Sequence, residues 1–100
     1  MTLRHVVTWR LSETDPLKKA EQTAWIKNSL ESLPAVVPGV LSLTVGVNSV
    51  ESDGNWDVVL ISDYATQEDY KAYVVHPEHQ QVVAGIVPLV ASRATVDFFI

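Results

Sequence analysis

The run Val58-Val59-Leu60-Ile61 is apolar at every position, so a strand built from it has no side to give to water. A half-solvated antiparallel strand alternates in polarity; one that does not needs cover on both faces. One parity carries Asp57, Val59, Ile61 and Asp63, the other Trp56, Val58, Leu60, Ser62 and Tyr64. Ser52-Asp53-Gly54-Asn55 ahead of it is a turn signal, and Leu41, Leu43, Val45 and Val47 alternate with small polar residues before that turn, which predicts a hairpin of two strands.

The flanking segments complete a regular order. Leu3, His5, Val7, Trp9 and Leu11 form one face of an opening strand, with Arg4, Val6, Thr8 and Arg10 on the other. Asp15-Pro16 reads as an N-cap followed by proline at the first helical position, and Ile26, Leu30 and Leu33 then recur at helical spacing, predicting a helix from about Pro16 to Leu33. Pro34 to Gly39 stops it. Thr66-Gln67-Glu68-Asp69 has the form of a second helix start, and alternation from about Ala94 to Ile100 predicts the last strand.

Strand, helix, strand, turn, strand, helix, strand is the α+β, ferredoxin-like split βαβ arrangement (β-α-β-β-α-β), a four-stranded antiparallel sheet with helices on one face. The other face, read here as Trp56, Val58, Leu60 and Tyr64 with Val6 and Phe99, then needs a cover that the monomer does not supply. A twofold homodimer with two sheets closing into a dimeric α+β barrel provides it. With 47% hydrophobic and only 19% charged residues, the chain has apolar surface to spare for such an interface.

The second helix carries the chemistry. Within DYKAYVVHPEHQQ, Asp69 to Gln81, Pro77 lacks a backbone donor and disfavours helical geometry at His76, so the helix is expected to break and restart there. Tyr70, Tyr73 and Val74 share a face before the break; His79, Val82, Val83, Ile86 and Val90 share one after it. The phenol of Tyr73 and the imidazole of His79 therefore approach one apolar cavity, as an acid/base pair or as a core aromatic and a helix-end histidine. His76 is placed to bond the free amides of the restarted helix. A metal site from His5, His76, Glu78 and His79 is not expected, because the proline spoils the helical spacing and no cysteine or dense carboxylate cluster assists.

Other classes are disfavoured. A formal charge of −5, with seven Lys and Arg spread along the chain, offers no basic stripe for nucleic acid. Zero cysteines leave no disulfide, thiolate metal site or cysteine nucleophile. No apolar run approaches the ~20 residues of a membrane span, and MTLRHVVTWRL lacks a signal-peptide core, so a cytoplasmic protein of one domain over residues 1–100, with no membrane partner, is expected. Dinucleotide, P-loop and nucleophile-elbow motifs are missing.

HVVTWRL at the start, a helix ending in LPAVVPGV, the hairpin into WDVVLISDY, then YKAYVVHPEHQQV and a final VDFFI together resemble the stress-responsive dimeric α/β-barrel (Dabb) family, over nearly the whole chain. The specific part is Y-x-x-H-P-x-H, Tyr73 to His79, which is similar to that of a plant branch containing a polyketide cyclase that forms olivetolic acid. The resemblance implies a homodimer with a pocket for a small apolar or aromatic ligand in each subunit and no cofactor. It implies Tyr73 and His79 as catalytic residues and His5 as a pocket histidine, while Asp57 stands where the cyclase has a further histidine. His5, Val7 and Trp9 on the first strand and Val59 and Ile61 on the third are the expected pocket wall, with Trp9 and Trp25 narrowing it. Asp57 is open between orienting a histidine and lying solvated by the hairpin. Three readings follow: cofactor-free His/Tyr acid-base chemistry, meaning proton abstraction or aldol-type cyclisation on a ketide-like or phenolic substrate; a non-catalytic ligand-binding or structural oligomer of the stress response; and a cofactor-free monooxygenase.

Overall fold

In the computed structural model, which describes residues 1–100, β1 (Leu3–Leu11) buries Leu3, His5, Val7, Trp9 and Leu11 and leaves the alternate residues partly or fully exposed. Asp15 caps α1 (Pro16–Glu31), its carboxylate accepting the Lys18 N–H at 2.9 Å. Ile26 and Leu30 face the core from this helix, while Leu33 and Val37 reach it from a 3₁₀ turn (Leu33–Ala35) and the loop beyond; Pro34 shortens the helix relative to the expected end at Leu33. Gly39 then takes φ 91°, a left-handed value that suits only glycine, where the chain turns past Asp69.

The second strand, β2 (Val40–Val47), enters over a bulge at Leu41, so Leu43 and Val45 turn inward while Leu41 stays exposed; Val47, on the same side as Val45, is exposed at the strand's end. It is an edge of the sheet, and an ion pair on α1 covers it. The Val45 amide donates to Glu31 Oε2 at 3.0 Å, the Val45 carbonyl accepts from Lys27 Nζ at 2.7 Å, and Lys27 bonds Glu31 at 2.9 Å. Those peptide groups are withheld from pairing with another chain. The turn at Ser52 is closed by the Asn55 N–H donating to the Ser52 carbonyl at 2.9 Å, and β3 (Val58–Tyr64) follows.

Two helices, α2 (Gln67–Val75) and α3 (Pro77–Ile86), lead to β4 (Val90–Phe99). The last strand begins at Val90, four residues before the expected Ala94, because a 3₁₀ turn holding Pro88 (Val87–Leu89) delivers the chain directly into pairing with Leu11. All pairings are antiparallel in the order β2-β3-β1-β4, with the helices packed on one face: the ferredoxin-like split βαβ fold. No helix is long and apolar enough to cross a membrane.

Register decides what periodicity left open. Val7 pairs with Leu60 and Trp9 with Val58, and antiparallel partners share a face, so Val58, Leu60, Ser62 and Tyr64 lie under the helices with β1's buried row. This reverses the expected assignment of the two parities of β3. Val59 and Ile61, expected in the pocket wall, lie on the back of the sheet beside Val6, whose partners are Ile61 and Val96. Phe98, opposite Arg4, belongs to that back face; Phe99, opposite Leu3, lies on the helix side, contrary to expectation. Ile61, Val96 and Phe98 are 38%, 63% and 42% exposed, an apolar strip flanked by the Arg4 to Asp63 pair, bidentate at 2.9 Å.

Trp25 lies outside the cavity it was expected to narrow. Its ring covers Gly85 of α3, where an added Cβ would stand 2.3 Å from Trp25 Cη2, so glycine permits the close approach of α1 and α3. Gly85→Ala gains helix propensity of about 1 kcal/mol but must push the ring away. In chemical denaturation, Gly85→Ala is therefore expected to be more favourable by at least ~1 kcal/mol in a Trp25→Ala background than in the wild type. Equal effects in both backgrounds would contradict this packing.

Candidate functional site

The site is assembled by the break in the helix pair. Thr66 caps α2, accepting the Asp69 N–H at 3.1 Å, with Glu68 and Asp69 against its positive end. At the other end Pro77 has no N–H for the Tyr73 carbonyl, and His76 is extended (φ −63°, ψ 135°). His76 then caps α3, its Nδ1 accepting the Glu78 N–H at 3.1 Å, which is the structural role its position predicts.

Two carbonyls at the end of α2 thus lose their helical donors. Tyr73 O accepts from the His76 N–H at 3.2 Å. Val74 O, whose helical partner would be the Glu78 N–H, accepts instead from His79 Nδ1 at 2.9 Å and Gln80 Nε2 at 2.6 Å. A carbonyl can only accept, so the proton of His79 sits on Nδ1, leaving Nε2 with its lone pair. Burial holds the His79 pKa below its ordinary 6.5, with Arg93 and the other two histidines acting in the same direction against the Val74 bond. At neutral pH this is an uncharged base.

Around it runs a chain of rings. Tyr73 and His79 have centroids 4.3 Å apart, Tyr64 lies 5.4 Å from both Tyr73 and Tyr70, and Tyr70 is 4.8 Å from His5. The Tyr64 hydroxyl donates to Ser62 Oγ at 3.1 Å, whereas the buried Tyr73 hydroxyl makes no hydrogen bond of full geometry, though the Tyr64 hydroxyl lies close enough to interact with it. Burial raises the pKa of both phenols, so both remain neutral donors. His5 Nδ1 bonds the carboxylate of Asp97, its cross-strand partner on β4, which leaves His5 Nε2 as its free nitrogen.

These groups meet at a cavity of about 540 Å³ between sheet and helices, within the usual range for small-molecule sites. His5, Val7, Trp9, Tyr73 and His79, all singled out from the sequence, line it together; Val59 and Ile61 do not, since the β1 to β3 register puts Leu60 in that wall. Asp57 is remote from both pocket histidines' bonds: it accepts the Leu11 N–H at 2.8 Å and pairs with Lys19 at 3.4 Å, pinning the end of β1. Asp97 is the residue that sequence reasoning missed, and its only signal was an acid on the final strand, whose register with β1 no local pattern reveals. No group of three His, Cys, Asp or Glu side chains is placed to hold a metal ion.

The depressed pKa of His79 has a sign. Between the ordinary value of 6.5 and the lower folded one, the unfolded chain binds a proton that the folded chain refuses, so stability falls as pH drops through that window and is fully present above it. Urea midpoints are expected to fall more between about pH 7.5 and 5.5, either side of the free imidazole's value, in the wild type than in His79→Gln. Parallel curves would contradict the burial of this ring.

The family model described as the stress-responsive A/B barrel domain matches residues 3–100. A dimeric protein of unknown function with a ferredoxin-like fold from Bacteroides fragilis is 27% identical, with 99% of this chain and 96% of that one covered at a TM-score of 0.90. A dimeric ferredoxin-like protein of unknown function from Thermobifida fusca is 29% identical, with 100% and 92% covered at 0.83. The hydroxynitrile lyase of Passiflora edulis shares the fold at 14% identity, with 99% and 93% covered at 0.79. No curated protein matches the chain.

Proposed function

The chain belongs to the stress-responsive A/B barrel domain family, and from that premise we propose that it works as a homodimer whose subunits each bind a small apolar or aromatic molecule and act on it by cofactor-free acid-base chemistry. His79 Nε2 removes a proton from a carbon beside a carbonyl, and the Tyr73 hydroxyl donates a hydrogen bond to the enolate oxygen as it forms. The enolate carbon then attacks a second carbonyl of the same molecule, closing a ring as the imidazolium returns its proton to the new alkoxide, or is itself reprotonated by the imidazolium. His5, its Nδ1 committed to Asp97, offers Nε2 to a substrate hydroxyl. The observation that carries this reading is the fixed tautomer: a backbone carbonyl holds His79 as a neutral base beside a buried phenol whose hydroxyl makes no full hydrogen bond.

The dimer rests on the apolar strip of the sheet's back and on the dimeric state of the Bacteroides and Thermobifida proteins. A binding-only reading stands second, because the Tyr73 hydroxyl oxygen lies out of contact with solvent, so a bound molecule must displace side chains to reach it. A panel of poly-β-keto and phenolic compounds, scored by thermal shift and by product formation, separates the two. Shifts with turnover support the enzyme, shifts without turnover support the binder, and no shift with any compound removes the pocket reading.

A further inference from the structure

Arg93 is the one residue among arginine, lysine, aspartate and glutamate in the cavity's lining, and the cavity belongs to a chain of net charge −5. It stands on β4 opposite Trp9, on the helix-facing side of a strand whose outer part the helices leave exposed. The other two arginines are engaged: Arg4 with the Asp63 carboxylate, Arg10 with the Ser92 hydroxyl. Arg93 forms no ion pair, and Asp97, the acid on the same face of β4, is held by His5. The guanidinium at the cavity therefore keeps its full hydrogen-bonding fork for an incoming group.

Resting on the small-molecule pocket proposed above, we infer that the ligand carries a carboxylate, which Arg93 takes at the mouth while the apolar body lies along Val7, Leu60 and Ile86 towards His79. An apolar wall with a single fork of donors selects such amphipathic acids over their neutral analogues, because a planar guanidinium matches a carboxylate with two parallel bonds. The anion also neutralises a charge that otherwise opposes protonation of His79.

The test uses 2-naphthoate and 2-naphthamide, alike in shape and differing in charge, titrated calorimetrically into the wild type, Arg93→Gln and Arg93→Lys. The expected result is a preference for the acid of roughly tenfold in the wild type, reduced in Lys, which keeps the charge but not the fork, and lost in Gln. A preference unchanged in Gln, or no preference in a wild type that binds both probes, overturns the assignment to Arg93 and leaves the pocket standing. Binding of neither probe at millimolar concentration overturns both.

Discussion

Alanine at position 79 is expected to lower kcat for any carbon acid the wild type turns over by roughly 10²–10⁴-fold, the usual contribution of a positioned general base, with KM little changed. The imidazole contributes a lone pair whose location is set before substrate arrives, and no other lining side chain has both a free basic nitrogen and a bond to the broken helix. Tyr73→Phe is the companion variant. Loss of one hydrogen bond to a developing oxyanion costs roughly 10²–10³-fold, yet removing a buried hydroxyl that makes no full hydrogen bond, only a contact with the Tyr64 hydroxyl, should change stability by no more than about 1 kcal/mol. An activity loss without a stability loss separates a catalytic phenol from a structural one. Wild-type rates in both variants would refute the assignment.

The second large effect concerns the sheet's back. Ile61→Asp with Phe98→Asp is expected to turn a dimer into a monomer, read by sedimentation velocity at micromolar concentration. Both side chains are already partly covered, so each is worth on the order of 1 kcal/mol in further burial, four of them across a twofold axis. Four carboxylates would also have to leave water, at several kcal/mol each if they stay charged and unpaired. The dissociation constant should rise by at least about 10³-fold, while urea unfolding of the monomer changes little, since neither residue belongs to the core under the helices. A wild type that sediments as a monomer overturns the dimer outright.

What the sequence disclosed, and what it concealed, follows from the range of each interaction. His76 could be read as a cap because proline at 77 and free amides just beyond it are local facts. The buried row of β1 was legible because alternation there is clean. In β3 every position of Val58-Val59-Leu60-Ile61 is apolar, so parity held no information, and only the pairing of Leu60 with Val7 shows that Val59 and Ile61 lie behind the sheet. Asp97 was hidden for a related reason. It meets His5 across ninety-two positions of chain, through a register fixed by the whole sheet. Trp25 looked like a cavity residue by size, but the absent side chain of Gly85 gives it a different seat. The conclusion about chemistry rests on short-range geometry at Pro77, and the placement of the walls on contacts that composition does not encode.

The hydrogen bond from His79 to the Val74 carbonyl is anchored on the main chain. A main-chain oxygen survives every substitution, so the tautomer of this ring does not depend on the identity of any neighbouring side chain. Side chains around the cavity can therefore be exchanged without releasing this ring nitrogen, provided Pro77 keeps the Val74 carbonyl free of its helical donor.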